Sequence, residues 1–307
     1  VTTSEQDLRG WQAQISAVAS GFIGDWLEAQ HSPLAIPMQL RTQTGALLPD
    51  RASIQTALPD ARPQLALFIH GLTELDTIWR YPRQPGVDYG SLLAEERDFS
   101  ALYLRYNTGL AIADNGRRLN DLLGMLIRHW PVPLERLVLV GHSMGGLVIR
   151  SACHQADHDG ASWVRRVSDC IYLGSPHQGS PVAKLAHGSA ALLQAMPRDY
   201  LKVIGELIDL RSQGIRNLTH GDIAERPDER LPLLAGIRHF AGIGALGHRP
   251  GHPLTTVLGD ALVRPGSAQG QNEPGWQLAG TREFHGVGHI RLAHHSDVYL
   301  QIRDWLS

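Results

Sequence analysis

Short apolar runs alternate with longer amphipathic stretches along the chain. LALFI (65–69), ALYL (101–104), LVLV (137–140) and CIYL (170–173) are nearly continuous in apolar residues and bounded by Gly, Pro, Asn or His. That is the pattern of strands buried on both faces of a parallel sheet. Between the second and third runs, Leu119, Leu122, Leu123, Leu126, Ile127 and Trp130 recur at helical spacing. Asp114 or Asn115 can cap this helix and Pro131 and Pro133 stop it, so the spacing predicts a strand–helix–strand crossover. A helical segment is expected over about residues 5–29, a strand near IPMQL, a strand at TREF (281–284) and a final helix over SDVYLQIRDWL (296–306). Ser296 can cap that last helix, Asp297 suits its first turn, and Val298, Ile302, Trp305 and Leu306 would face the core.

Strands alternating with helices imply an α/β architecture, with a mostly parallel central sheet and helices on both faces. Residues 1–307 read as one domain. The stretch 176–235 breaks the rhythm with amphipathic segments (Leu201, Ile204, Leu207, Ile208) and no convincing strand. It reads as a helical cap or lid inserted between two late strands, although ordinary crossover helices account for part of it equally well. Sheets of this kind carry their sites at the carboxyl ends of the strands.

Composition removes several function classes. Lys and Arg total 28 against 30 Asp and Glu, with neither sign in a long block, so the basic footprint of a nucleic-acid or anionic-membrane binder is missing. No apolar run approaches the roughly 20 residues that span a bilayer, and VTTSEQ is not followed by the apolar core of a signal peptide. The sequence begins at Val1 rather than Met, which implies that a segment was removed; a soluble, cytoplasmic protein is expected from what remains. Cys153 and Cys170 are the only cysteines, too few for a disulfide framework or a four-thiolate zinc site. Their apolar neighbours favour two buried thiols, with a single disulfide as the alternative.

The stretch LVLVGHSMGGLVIRSA (137–152) carries chemistry. Four strand residues run straight into Gly-His-Ser-Met-Gly and then into helical spacing, which is G-x-S-x-G in the strand–turn–helix setting it requires. A tight turn of this kind holds its serine in a strained backbone conformation, and side chains at Gly141 and Gly145 would collide with the neighbouring strand and helix. Ser143 would then stand at the end of the central strand, beside a helix N-terminus that favours developing negative charge. A serine nucleophile also needs a base and donors for an oxyanion. In LFIHGL (67–72), His70 and Gly71 end a strand, and the backbone N–H of Leu72 would join that of Met144 in an oxyanion hole. His70 itself is read as structural or loop-orienting, since the base is needed on the other side of Ser143.

IHGL (69–72), RYNTGL with DNGRRL (105–119), VGHSMGGLVIRSA (140–152) and LGSPHQGSPVAK (173–184) together resemble the α/β-hydrolase superfamily. More narrowly, they look like the bacterial esterases and lipases similar to the GPI inositol-deacylase group, with RYNTGL and the following NG as the more specific marker. The resemblance implies an α/β-hydrolase fold and a triad in the order Ser, Asp, His. VLGDALVRPGSA (257–268) is similar to the acid loop of such lipases and nominates Asp260, although Ala261 stands where the family more often has Gly. Asp169 competes poorly because it precedes its strand, and Asp209 and Asp222 fall in the expected cap.

FHGVGHIRLAHHS (284–296) holds four of the 16 histidines. His289 lies in the loop between the last strand and the last helix, and the glycines of GVGH leave the backbone free to bring its ring toward Ser143. The resembled family carries its base in the same pattern. His285 reads as a strand end, while His294 and His295 sit beside the helix cap, facing water. Four histidines also suffice for zinc, but Gly286 and Gly288 disfavour the helical H-E-x-x-H arrangement, and a metal would leave the serine turn unexplained. No metal and no cofactor are therefore expected.

These residues imply a serine carboxylic ester hydrolase, an esterase or lipase acting on a small acyl ester or lipid through an acyl-enzyme on Ser143, with Asp260 and His289 completing the triad. A histidine base implies activity that falls as pH drops through the imidazole range, roughly 6 to 7. An acyltransferase, thioesterase or amidase could use the same groups. A noncatalytic binding protein would require a missing triad member, and a haloalkane dehalogenase would need Asp in place of Ser143.

Overall fold

The computed structural model describes residues 36–177, 231–246 and 275–307, with residues 25, 28–30, 217 and 223–224. The acid loop with Asp260, the competing Asp209 and Asp222, and nearly all of the expected 176–235 cap lie outside the described residues.

Among the described residues, eight strands form one sheet. In chain order they are β1 (Gln39–Arg41), β2 (Ala46–Leu47), β3 (Gln64–Ile69), β4 (Phe99–Arg105), β5 (Arg136–His142), β6 (Val167–Leu173), β7 (Arg238–Ala245) and β8 (Gly280–His285). Their spatial order is β2-β1-β4-β3-β5-β6-β7-β8. β1 runs antiparallel to both its neighbours, and every pair from β4 to β8 is parallel. All four apolar runs of the sequence are strands. The Gly-rich β7 (RHFAGIGA) and the two-residue β2 carry too weak a pattern to be read that way.

Parallel neighbours need crossovers, and the helices supply them. α1 (Arg51–Ala57) precedes β3, α2 (Tyr89–Arg97) lies between β3 and β4, α3 (Ile112–His129) between β4 and β5, α4 (Met144–His158) between β5 and β6, and α5 (Ser296–Trp305) closes the chain. Two apolar clusters separate the layers. One joins Leu65, Leu67 and Leu139 to Leu119, Leu123 and Val148; the other joins Phe68, Val138, Val140 and Ile171 to Trp79, Val298 and Ile302. Alternation along β3 and β5 thus sends successive side chains to opposite layers, both of them buried.

Two expected helix caps are replaced. α3 begins at Ile112, so Asp114 and Asn115 lie within its first turn, where Asn115 Nδ2 donates to Asn107 O at 2.9 Å. α5 is capped by His295, whose Nδ1 accepts from Asp297 N at 3.3 Å, leaving Ser296 as the first helical residue. Asp169 sits near the start of β6, between Arg136 (2.7 Å) and Arg238 (2.7 Å), at the opposite end of the sheet from Ser143.

The order β4-β3-β5 means that the chain leaves β3 toward one edge, then returns to build β5 on its other side. Crevices in open α/β sheets form at such reversals, outside the strands' carboxyl ends. Here the reversal sets the loop after β3 beside the turn after β5. Gly145 makes that closeness possible, since a Cβ there would press into Ile69 O and lie 2.7 Å from His70 O, both rigid backbone atoms. Gly145→Ala is therefore expected to destabilise the protein by about 3 kcal/mol, the upper end for overpacking, read as a lower urea midpoint with an unchanged slope.

Candidate active site

Ser143 links β5 to α4 with φ 53° and ψ −122°, a conformation that L-residues adopt only under strain. The turn is held from two sides. Ser143 N donates to Leu173 O at the end of β6 (2.9 Å), and a Cβ on Gly141 would lie 2.5 Å from Gly146 N. Ser175, from LGSPHQGSPVAK, packs against the same helix start, where a Cβ on Gly146 would sit 2.8 Å from the Ser175 Cβ. Met144 is the first residue of α4, and the first amides of a helix have no acceptor within it.

The loop after β3 is braced by the segment RYNTGL. Tyr106 stacks on His70 (4.5 Å between ring centres), and its hydroxyl donates to His70 O at 2.8 Å. Thr73, with φ 59°, donates its amide to Thr108 Oγ1 at 3.3 Å. His70 Nδ1 donates to Gly71 O at 2.9 Å, and burial pushes this imidazole's pKa down, which keeps it neutral and confirms a loop-orienting role. The bonds of the turn engage the Gly71 and Thr73 amides on either side of Leu72. A Cβ on Gly71 would be 2.8 Å from the Ser143 Cβ, so no side chain fits between this loop and the serine.

The last histidine segment divides into four separate positions. His285 ends β8, 3.9 Å from Glu283. Gly286 then turns the backbone with φ 74°, and Gly286 N and Val287 O bond to Ala245 at the end of β7 (2.8 and 3.0 Å). GVGH is thus a pinned turn, in which the first glycine supplies a positive φ and not a free hinge. His289 follows, buried, at the head of a single 3-10 turn, Ile290–Ala293. Its carbonyl accepts from His142 Nε2 at 3.0 Å, and the two rings lie 4.8 Å apart. His294, expected in water, is partly buried with Nδ1 donating to Ile78 O (3.0 Å), and burial lowers its pKa. His295 caps α5, its pKa also lowered by burial, which suits a ring nitrogen that accepts a hydrogen bond. Among the described residues no three His, Cys, Asp or Glu side chains converge as a metal site requires.

Two residues beside Ser143 escaped sequence reasoning. His142, buried within G-x-S-x-G, bonds through Nδ1 to Glu74 Oε2 at 2.9 Å, and the same oxygen accepts Gly71 N at 2.8 Å. Burial would raise the Glu74 carboxyl's pKa, but the charges of His142 and His289 and the bonds from His142 and Gly71 outweigh it and hold the carboxyl below its ordinary range. Nothing in TELD marks this Glu, because its imidazole partner lies 68 positions away. Cys153 and Cys170 are free and buried, and burial pushes the Cys170 thiol well up, which makes that thiol inert.

The comparisons bear on this geometry. A family model described as "PGAP1-like alpha/beta domain" matches residues 95–200, from the end of α2 through the serine turn. The mature form of Bacillus licheniformis lipase BlEst2 is similar to this chain with a TM-score of 0.57 at 19% identity, covering 81% of this chain and 93% of that one. Its propeptide form gives 0.52 at 18% identity, over 79% and 50%. With the eight-stranded sheet and the strained serine turn in place, the fold follows.

The chain has the α/β-hydrolase fold.

The expected resemblance and fold class are both confirmed. No curated protein matches the chain in sequence. Among the described residues, no helix is long and apolar enough to cross a membrane.

Proposed function

We propose that the protein is a serine carboxylic ester hydrolase, an esterase or lipase. The observation that carries this reading is Ser143 at φ 53° and ψ −122°, at the carboxyl end of β5, with the His289 loop bonded to the residue immediately before it. A strained strand-to-helix turn directs its serine toward the crevice beyond the strand end, where Ser143 keeps 8% of its surface exposed, and the turn is retained because its surroundings over-determine it.

In the proposed reaction, Ser143 Oγ attacks the ester carbonyl while His289 takes its proton. The Leu72 and Met144 amides hold the oxyanion, one from the loop after β3 and one from the start of α4. As the tetrahedral intermediate collapses, the C–O bond breaks and His289 returns the proton to the leaving alcohol. Water, deprotonated by the same histidine, then releases the acid and restores Ser143. Asp260 is the proposed carboxylate that fixes the His289 tautomer. The substrate is a small acyl ester or lipid, and the 176–235 stretch is the proposed cap that shapes the acyl-chain site. No cofactor enters these steps.

A fluorophosphonate probe tests the nucleophile directly. The expected result is one adduct, mapped to Ser143 by mass spectrometry and prevented by prior unfolding. A folded protein that takes up no probe at Ser143 overturns the reading and leaves a noncatalytic α/β-hydrolase-fold protein. Nitrophenyl esters of increasing chain length, with emulsified triglyceride alongside, distinguish esterase from lipase. Added alcohol or thiol acceptors would expose acyl transfer on the same triad.

A further inference from the structure

The geometry points to Glu74 and His142 as a permanently charged positioning pair that joins the three loops of the site and sets the proton affinity of His289. Its catalytic consequence rests on the ester-hydrolase reading; its electrostatics do not.

Hydrogen-bond valence carries the assignment. His142 Nε2 lies 3.0 Å from His289 O, and a carbonyl can only accept, so Nε2 carries a proton. His142 Nδ1 lies 2.9 Å from Glu74 Oε2, and that oxygen already accepts the Gly71 amide at 2.8 Å. The Gly71 amide and the neighbouring imidazoles hold the Glu74 carboxyl below its ordinary range, so Oε2 is an ionised acceptor and the proton of its bond to His142 lies on Nδ1. His142 is then an imidazolium with no exposure to water, and burying such a charge is tolerable only beside its counter-ion.

Each bond ties down a different part of the site. Gly71 belongs to the loop beside the Ser143 Cβ, His142 precedes the serine itself, and His289 O heads the base loop. Trp79 closes the region with an edge-on contact to the His142 ring, at 6.3 Å between centres. Among the described residues, the titratable groups facing the pair are His289, His70, Tyr106 and His294. His70 and His294, whose pKa values burial lowers, and Tyr106, whose pKa burial raises well up, stay neutral, so Glu74 and His142 are charges that His289 feels from this side.

The two charges act on His289 with opposite sign. An anion stabilises protonated His289 and a cation opposes it. Removing Glu74's charge should therefore lower the pH at which His289 titrates, and removing His142's should raise it. A purely structural brace would shift neither, or both alike.

The test is a histidine NMR titration of the full chain, with the long-range nitrogen spectrum assigned for His142 and His289, in the wild type, Glu74→Gln and His142→Asn. Wild-type His142 should be doubly protonated at pH 8, where a free histidine is neutral. The His289 midpoint should move down in Glu74→Gln and up in His142→Asn, by about one pH unit each. The acid limb of kcat/KM for a nitrophenyl ester should follow in the same directions. A neutral His142 in the wild type at pH 8 overturns the proposal even if neither variant folds, and midpoints that coincide or move together overturn it too. Because the titration needs no turnover, a missing ester-hydrolase activity and a missing ion pair are separate results.

Discussion

Ser143→Ala is expected to abolish the proposed ester hydrolysis to within background, a fall of about 10⁴- to 10⁶-fold in kcat. The substitution removes one oxygen and leaves the rest of the turn unchanged. Alanine and serine both carry a Cβ, so the strain at φ 53° is common to the two, and the amide still bonds Leu173 O. Gly71, Gly141 and Gly145 go on accommodating the same backbone. The variant should thus retain its urea midpoint and its affinity for a nonhydrolysable ester analogue while losing turnover. A tenfold loss corresponds to about 1.4 kcal/mol, so the expected effect exceeds about 5 kcal/mol in transition-state stabilisation, more than any loss of substrate contact by a single hydroxyl. Ester hydrolysis retained at the wild-type rate would show that the reaction does not pass through Ser143.

His289→Ala is expected to be nearly as severe, about 10⁴-fold or more, because a nucleophile without its base and the base without its nucleophile fail together. The comparison with the other three histidines gives this experiment its force. His285 ends a strand, His294 bonds Ile78 O and His295 caps α5, so alanine at these positions should lower stability with kcat kept within about tenfold of wild type. The His289 carbonyl is a backbone atom and keeps its bond from His142 in the variant, so the loop should hold its course. If His285→Ala or His294→Ala instead abolishes turnover and His289→Ala does not, the base has been assigned to the right loop and the wrong residue.

Legibility in the sequence tracked how local each cause is. LVLVGHSMGGLVIRSA could be read because strand, turn and helix are written in sixteen consecutive residues, and all three are present in β5, Ser143 and α4. RYNTGL could be recognised as a marker without revealing its work. Tyr106 and Thr108 brace the loop after β3 across 36 and 35 positions, and no periodicity carries such a pairing. The GVGH glycines were visible, but whether they free the chain or bend it depends on Ala245 of β7, to which the turn is bonded. Helix starts were the least legible elements, because Asp114 and Ser296 are sound caps by type and lost the position to Ala111 and His295, three residues and one residue earlier.

The sequence by itself determined the α/β alternation, the strand-to-helix turn at Ser143 and the short list of histidines, because these rest on side-chain periodicity and on backbone preferences that act within a few residues. Only the tertiary structure decided that the loop of His289 meets the residue before the serine, and that Glu74 is the partner of His142 there. The sheet reversal between β4, β3 and β5 lays three loops, 68 to 147 residues apart in pairing, against one another. There a buried charge finds a partner or is excluded, a choice made by desolvation and hydrogen-bond valence in three dimensions.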